Sequence, residues 1–171
     1  MKFYGQKRKK LYKEFISQHI PNNIEIYVEP FAGTFSVACY LIEERLSEID
    51  NSPKKFIYND INNYNLTIYA DKVHHLDYKD IFKLYDSEST FFYLDPPYYK
   101  KEFLYEGCKN YTTDFHIELK NEIVKLKGKF ALSYEDCTFI RELYKDLTIY
   151  KYEGTNRIFK NELIITNNDN F

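Results

Sequence analysis

Thr90-Phe91-Phe92-Tyr93-Leu94-Asp95-Pro96-Pro97-Tyr98 is the stretch on which the fold turns. Its first five residues are β-branched, aromatic or aliphatic, with no alternation of polar and apolar positions. Such a run reads as a strand buried on both faces. The Asp-Pro-Pro that follows stops it, since proline lacks the N–H a sheet ladder needs and fixes its own φ. A strand covered on both faces requires helices on each side of the sheet, which makes the chain α/β.

Working outward, helical and strand patterns alternate almost throughout. Toward the amino end, Lys9 to His19 has amphipathic helical spacing and closes before Pro21. Ile24 to Val28 is β-rich and ends at Glu29-Pro30, and Ser36 to Leu46 is helical again. Lys55 to Tyr58 reads as a strand ended by Asn59-Asp60, Asn63 to Ala70 as a helix, and Val73 to Leu76 as a short strand. Toward the carboxyl end, Asp114 is expected to cap a helix reaching about Lys127, closed by Gly128. Phe130 to Leu132, Leu147 to Tyr152 and Leu163 to Thr166 read as strands, and Asp136 to Tyr144 as a helix. The expectation is one domain over residues 1–171, built on a mainly parallel sheet with helices on both faces.

In such sheets ligands sit beyond the carboxyl ends of the strands. Here those ends carry Glu29-Pro30-Phe31, Asp60, Asp77 and Asp95-Pro96-Pro97-Tyr98, so acids gather at one rim. Asp95 with the Pro96 carbonyl can accept both hydrogens of an aromatic amine. That aims the nitrogen lone pair outward, and Pro96 and Pro97 stiffen the turn so that the acceptors are pre-placed. Tyr98 offers a flat face for an unstacked base. In Val28-Glu29-Pro30-Phe31-Ala32-Gly33-Thr34-Phe35-Ser36, a strand passes into a helix through Gly33, which allows close backbone approach to a ligand. Asp60 can accept from ribose hydroxyls or act as a helix cap; Asp77, before Tyr78, can accept from an adenine amino group or act as a cap. Tyr98 to Thr113 is a long polar and aromatic loop of the kind that carries function.

Composition narrows the options. Of 171 residues 18 are Tyr and 14 Phe, with no Trp, and the formal net charge is -2. Nucleic-acid contact would therefore come from local clusters, Lys7-Arg8-Lys9-Lys10 with Lys13, or Lys100-Lys101, rather than from bulk attraction. The three cysteines, Cys39, Cys108 and Cys137, form no CxxC pair, which argues against a disulfide framework and against a zinc site. No apolar run is long enough to span a membrane and no signal peptide is apparent, so a cytoplasmic protein without metal is expected.

In this order, these motifs resemble the Dam-like DNA adenine N6-methyltransferase family over essentially the whole chain. The resemblance implies a Rossmann-like sheet of about seven strands and S-adenosylmethionine as methyl donor. The implied substrate is the exocyclic N6 of adenine in DNA. Phe3-Tyr4-Gly5-Gln6-Lys7 is similar to the family's amino-terminal motif, which would place Phe3, Gly5 and Lys7 beside the donor and active site. Glu29, Phe31, Gly33 and Thr34 match its cofactor loop, Asp60 its ribose-binding acid, and Asp77-Tyr78 its pair near the cofactor adenine. Asp95, Pro96, Pro97 and Tyr98 match the catalytic set. Phe115, Ser133 and the run Glu162 to Asn167 match weaker carboxyl-terminal features.

Two departures shape the expectation. Phe35 stands where the family usually has a second glycine, and its bulk is expected to narrow the donor pocket. Only a short segment separates Asp60 from Asp77, where the family inserts its target recognition domain. Recognition is then weak, supplied by the Tyr98–Thr113 loop, or borrowed from a partner subunit or a second copy. Alternatives are cytosine N4 or RNA adenine as target, and a non-catalytic subunit that binds nucleic acid or a partner protein. Roles in restriction-modification, phage counter-defence and replication marking all suit the expectation.

Overall fold

A computed structural model describes residues 7–45, 53–62, 70–105, 108, 111–156 and 159–167. Seven strands form one sheet: β1 Ile26–Glu29, β2 Lys55–Asn59, β3 Lys72–His74, β4 Thr90–Leu94, β5 Lys129–Glu135, β6 Thr148–Lys151 and β7 Glu162–Thr166. Their spatial order is β3-β2-β1-β4-β5-β7-β6. The pairings of β1 with β2 and β4, β2 with β3, and β4 with β5 are parallel; β7 runs antiparallel to both β5 and β6. The order reverses between β1 and β4, and that is the topological switch point where open α/β sheets bind ligands.

Side-chain alternation divides the core in two. Tyr27, Phe91, Tyr93, Ala131 and Ile164 point to one face, and Val28, Phe92, Leu94, Leu132 and Ile165 to the other. The first face is covered by α1 Lys9–Leu11, which runs on as a π-helical turn Tyr12–Ile16 and a 3₁₀ turn Ser17–His19, and by α2 Ser36–Arg45. The second face is covered by α3 Tyr78–Tyr85, α4 Thr113–Ile123 and α5 Thr138–Leu143. All five residues of β4 are buried, as its unbroken apolar sequence predicts.

Several local expectations are corrected. Residues 78–85 form a helix that the strand-and-turn reading passed over; Tyr78, Ile81 and Phe82 are its buried stripe. Thr112, not Asp114, is the N-cap residue of α4, and the helix ends at Ile123 rather than near Lys127. Gly128 is not its cap: a Cβ there would lie 2.7 Å from the Thr90 carbonyl oxygen, so glycine serves the close approach to β4. Asp136 lies outside α5 and instead pairs with Arg141 at 2.5 Å and Lys151 at 2.7 Å. The expected helix Asn63 to Ala70 falls almost entirely outside the described residues. No described helix is long and apolar enough to cross a membrane.

Candidate active site

At the switch point β4 delivers Asp95 to the rim. Its carboxylate accepts from the Lys7 ammonium at 2.9 Å, and the same ammonium donates to the Tyr98 hydroxyl oxygen at 2.5 Å. Glu162 completes the cluster, 3.0 Å from the Lys7 Nζ and accepting from the Tyr98 hydroxyl at 2.7 Å. Sequence reasoning gave Glu162 no role beyond a weak family likeness. It reaches this rim because β7 is reversed. Its first residue therefore pairs with Glu135, the last residue of parallel β5, beside the carboxyl end of β4.

The cluster is largely withdrawn from water, with side-chain exposures of 6% for Lys7, 18% for Asp95 and 12% for Glu162. Burial pushes Asp95 up to about 6; Lys7 pulls it back and the nearby Glu162 charge adds to the rise. Burial alone would lower Lys7, but Asp95 and Glu162 outweigh it and hold the ammonium well above its ordinary range. The Lys7 Nζ also lies 4.8 Å from the centroid of the Tyr98 ring, at its hydroxyl end. Pro96 and Pro97 are buried, which fixes the turn that carries Asp95.

The strand-to-helix turn after β1 lies alongside. Glu29, 3% exposed, accepts at Oε1 from the Tyr27 hydroxyl and from the Ala38 N–H, both at 2.8 Å. It thus satisfies a free amide in the first turn of α2 from inside the core. Burial pushes its carboxyl up to about 8. Gly33 has φ +51, and a Cβ built on it meets nothing within 4 Å, so its backbone faces open space. Asp60 accepts from the Gly33 N–H at Oδ2 and from the Asn62 N–H at Oδ1, both at 2.9 Å. The acid at the end of β2 therefore braces the glycine turn of β1. Asn59, buried beside it and not anticipated, donates to the Pro30 and Leu76 carbonyls at 2.9 and 3.0 Å and accepts from the Leu76 N–H at 2.9 Å. One amide side chain thereby joins the ends of β1, β2 and β3.

Thr34 is half-buried in the same turn. Phe31 packs against Tyr78 at 5.3 Å and Phe115 at 6.3 Å, and Tyr111 stacks on Phe115 at 4.1 Å, giving an aromatic wall on the β1–β2 side. Asp77 is exposed and caps α3, its Oδ1 accepting from the Lys79 N–H at 2.9 Å. Phe35 does not face the rim: at φ 56 it turns inward, fully buried, with its ring edge against Tyr58 at 5.5 Å. The expected narrowing of the donor pocket is therefore replaced by core packing. Phe3 and Gly5 lie outside the described residues. Among the described residues no group of three His, Cys, Asp or Glu side chains is placed to hold a metal. A cavity of about 850 Å³ between Glu14, Gln18 and the β6 residues Tyr150 and Lys151 contains none of the rim acids.

Two residues of the segment after the Asp95-Pro96-Pro97-Tyr98 turn feel the rim acids. Burial and the Asp95 charge both push the Tyr105 hydroxyl up, and burial with the Asp60 charge does the same for Cys108.

The family model for the D12 class N6 adenine-specific DNA methyltransferase matches residues 3–75 and 70–158. Two solved structures share the fold. SMU.776, described as a methyltransferase and complexed with SAH, has TM-score 0.54 and 10% identity over 92% of this chain and 48% of its own. A protein from Listeria monocytogenes, described as a class I S-adenosylmethionine-dependent methyltransferase, has TM-score 0.53 and 12% identity over 92% of this chain and 56% of its own. The chain thus spans about half the length of these structures. No curated protein matches the sequence.

Proposed function

The chain belongs to the D12 class N6 adenine-specific DNA methyltransferase family, and from that premise we propose that it transfers a methyl group from S-adenosylmethionine to the exocyclic N6 of adenine in DNA. The observation that carries the reading is the buried cluster at the switch point, with Asp95 held at 2.9 Å by Lys7 beside Tyr98 and Glu162.

The residues present fit the donor. Gly33 faces open space with a left-handed φ, Asp60 stands at the end of β2, and the Phe31–Tyr78–Phe115 rings offer an apolar wall for a purine. These would hold S-adenosylmethionine, which when bound supplies an electrophilic methyl on a positively charged sulfur.

Everything else falls to the chain. Adenine must leave the duplex stack to reach a buried carboxylate. Asp95 and the Pro96 carbonyl then accept the two amino hydrogens, which draws the nitrogen out of conjugation and points its lone pair at the methyl. Positive charge grows on that nitrogen as the bond forms, and the Asp95 carboxylate is pre-placed to stabilise it. The proton leaves from the same N–H that Asp95 holds and passes to the Asp95 carboxylate, raised to about 6, which then releases it to water. Lys7 orients Asp95, and Glu162 compensates Lys7 so that the ammonium does not cancel the negative charge of Asp95. Because little chain lies between Asp60 and Asp77, recognition of DNA is weak, falls to the Tyr98–Thr113 segment, or comes from a partner.

The test is transfer of labelled methyl from S-adenosylmethionine into unmethylated duplex DNA, followed by nucleoside analysis. The expected product is N6-methyldeoxyadenosine, lost in a folded Asp95→Ala variant. Methylcytosine, or product only with RNA, would replace the substrate; retained activity in Asp95→Ala would remove the mechanism.

A further inference from the structure

The segment that follows the catalytic turn holds an apolar side chain out in solvent on a tightly anchored support. The 3₁₀ turn Glu102–Leu104 buries Glu102 to 9% exposure yet leaves Phe103 66% exposed. The Glu102 carboxylate accepts from the Lys100 N–H at 3.0 Å and bonds His116 Nε2 at 2.8 Å, while His116 Nδ1 bonds the Tyr134 hydroxyl at 2.6 Å. His116 is fully buried on α4, so the turn is tied to the core beneath it. The Lys101 N–H donates to the Tyr98 carbonyl at 2.8 Å and the Leu104 N–H to the Lys101 carbonyl at 3.0 Å, and Lys101 pairs with Glu135, the strand partner of Glu162, so the turn lies at the lip of the Asp95–Lys7–Glu162 cluster. Lys100 and Lys101 precede the ring, with the Lys100 ammonium 5.5 Å from the Tyr99 ring and Lys101 paired to Glu135.

A surface aromatic costs solvation, and a flexible loop would fold it away. Here Glu102 anchors the turn to the core while the Phe103 ring stays outside. The proposed reaction opens a gap in the duplex when adenine is extruded, and apolar side chains flanked by cations are the groups that fill such gaps. We propose that Phe103 is the wedge that enters the DNA stack at the vacated base, with Lys100 on a flanking phosphate. This rests on the reading of the chain as a DNA adenine methyltransferase.

The experiment compares methyl transfer by wild type, Phe103→Ala and Phe103→Trp on three forms of one oligonucleotide: paired duplex, duplex with the adenine opposite an abasic site, and single strand. Extrusion is costly only in the first. The expected result is a loss of about tenfold or more in kcat/KM for Phe103→Ala on the paired duplex, with the other two forms within about threefold of wild type and the Trp variant restored. Equal loss on all three would make Phe103 merely structural and overturn the proposal, as would an unchanged rate on the paired duplex. Wild-type inactivity on every DNA form would instead remove the methyltransferase reading, and the wedge with it.

Discussion

Replacing Lys7 by Met should move the pH dependence of methyl transfer toward higher pH, and replacing Glu162 by Gln should move it the other way. Asp95 must be ionised to accept amino hydrogens and to meet positive charge on the nitrogen. Burial sets its carboxyl at about 6, Lys7 opposes that rise and Glu162 adds to it. At the observed 2.9 Å and an effective dielectric of about 20, a unit charge pair is worth about 6 kcal/mol, an upper bound of about four pH units. Measured shifts from one neighbouring charge are roughly one to three units, since water and nearby dipoles relax around the change. Lys7→Met is therefore expected to lift the acid limb by that amount, and Glu162→Gln to lower it by about one unit. The assay is kcat/KM for labelled methyl transfer against pH, because that ratio reports the groups of the free enzyme. Circular dichroism at each pH confirms that the variants stay folded. Limbs that do not move, or that move in the same direction in both variants, would refute the claim that the Asp95–Lys7–Glu162 charges govern the reaction.

Two further outcomes concern the turn after β1. Glu29 has a carboxyl raised from 4.5 to about 8, so the folded state favours its protonated form and stability falls as pH rises from about 4.5 through 8, at up to about 1.4 kcal/mol per unit. Glu29→Gln lacks that fall, so denaturant titrations should show the variant gaining on wild type across this window; parallel curves would contradict the buried, protonated Glu29. Gly33→Ala should cost about 1–2 kcal/mol in stability for the left-handed φ and weaken S-adenosylmethionine binding by much more than that strain explains. Calorimetric affinity equal to wild type would show that the donor does not lie against Gly33.

Legibility in the sequence followed the range of the forces involved. The β4 run Thr90–Leu94 was readable to the residue because burial on both faces leaves no polar position to misjudge. Glu29, Asp60 and Asp95 were readable because proline or asparagine marks the strand end beside each. Helix α3 was also encoded, in the Asp77 cap and the 78, 81, 82 spacing; the cap reading of Asp77 holds, but the apolar spacing behind it went unused. Glu162 was out of reach: a short apolar strand reads the same in either direction, and only the pairing of Glu135 with Glu162 shows that β7 begins where β4 and β5 end. Phe35 was misjudged because nothing local announces a φ of 56 in a residue with a large side chain.

The placement of Glu162 bears on why a lysine can stand in such a site at all. The proposed reaction moves positive charge onto the adenine nitrogen, and a bare ammonium beside the accepting carboxylate would oppose that movement. In the cluster a single Lys7 is shared by Asp95 at 2.9 Å and Glu162 at 3.0 Å, so two carboxylates face one cation and the net charge is negative where the positive charge arrives. Neither acid is free to relax: Tyr98 donates to Glu162 at 2.7 Å, and Asp95 sits on a turn stiffened by two buried prolines. The lysine can therefore fix the direction of the carboxylate without cancelling its field, an arrangement in which orientation and electrostatic stabilisation come from different partners. On this argument Glu162→Gln, which keeps the acceptor geometry and removes only the charge, should lower kcat while leaving the fold intact. If instead kcat were unchanged and only the acid limb moved, the second carboxylate would serve Asp95's ionisation and not the transfer itself.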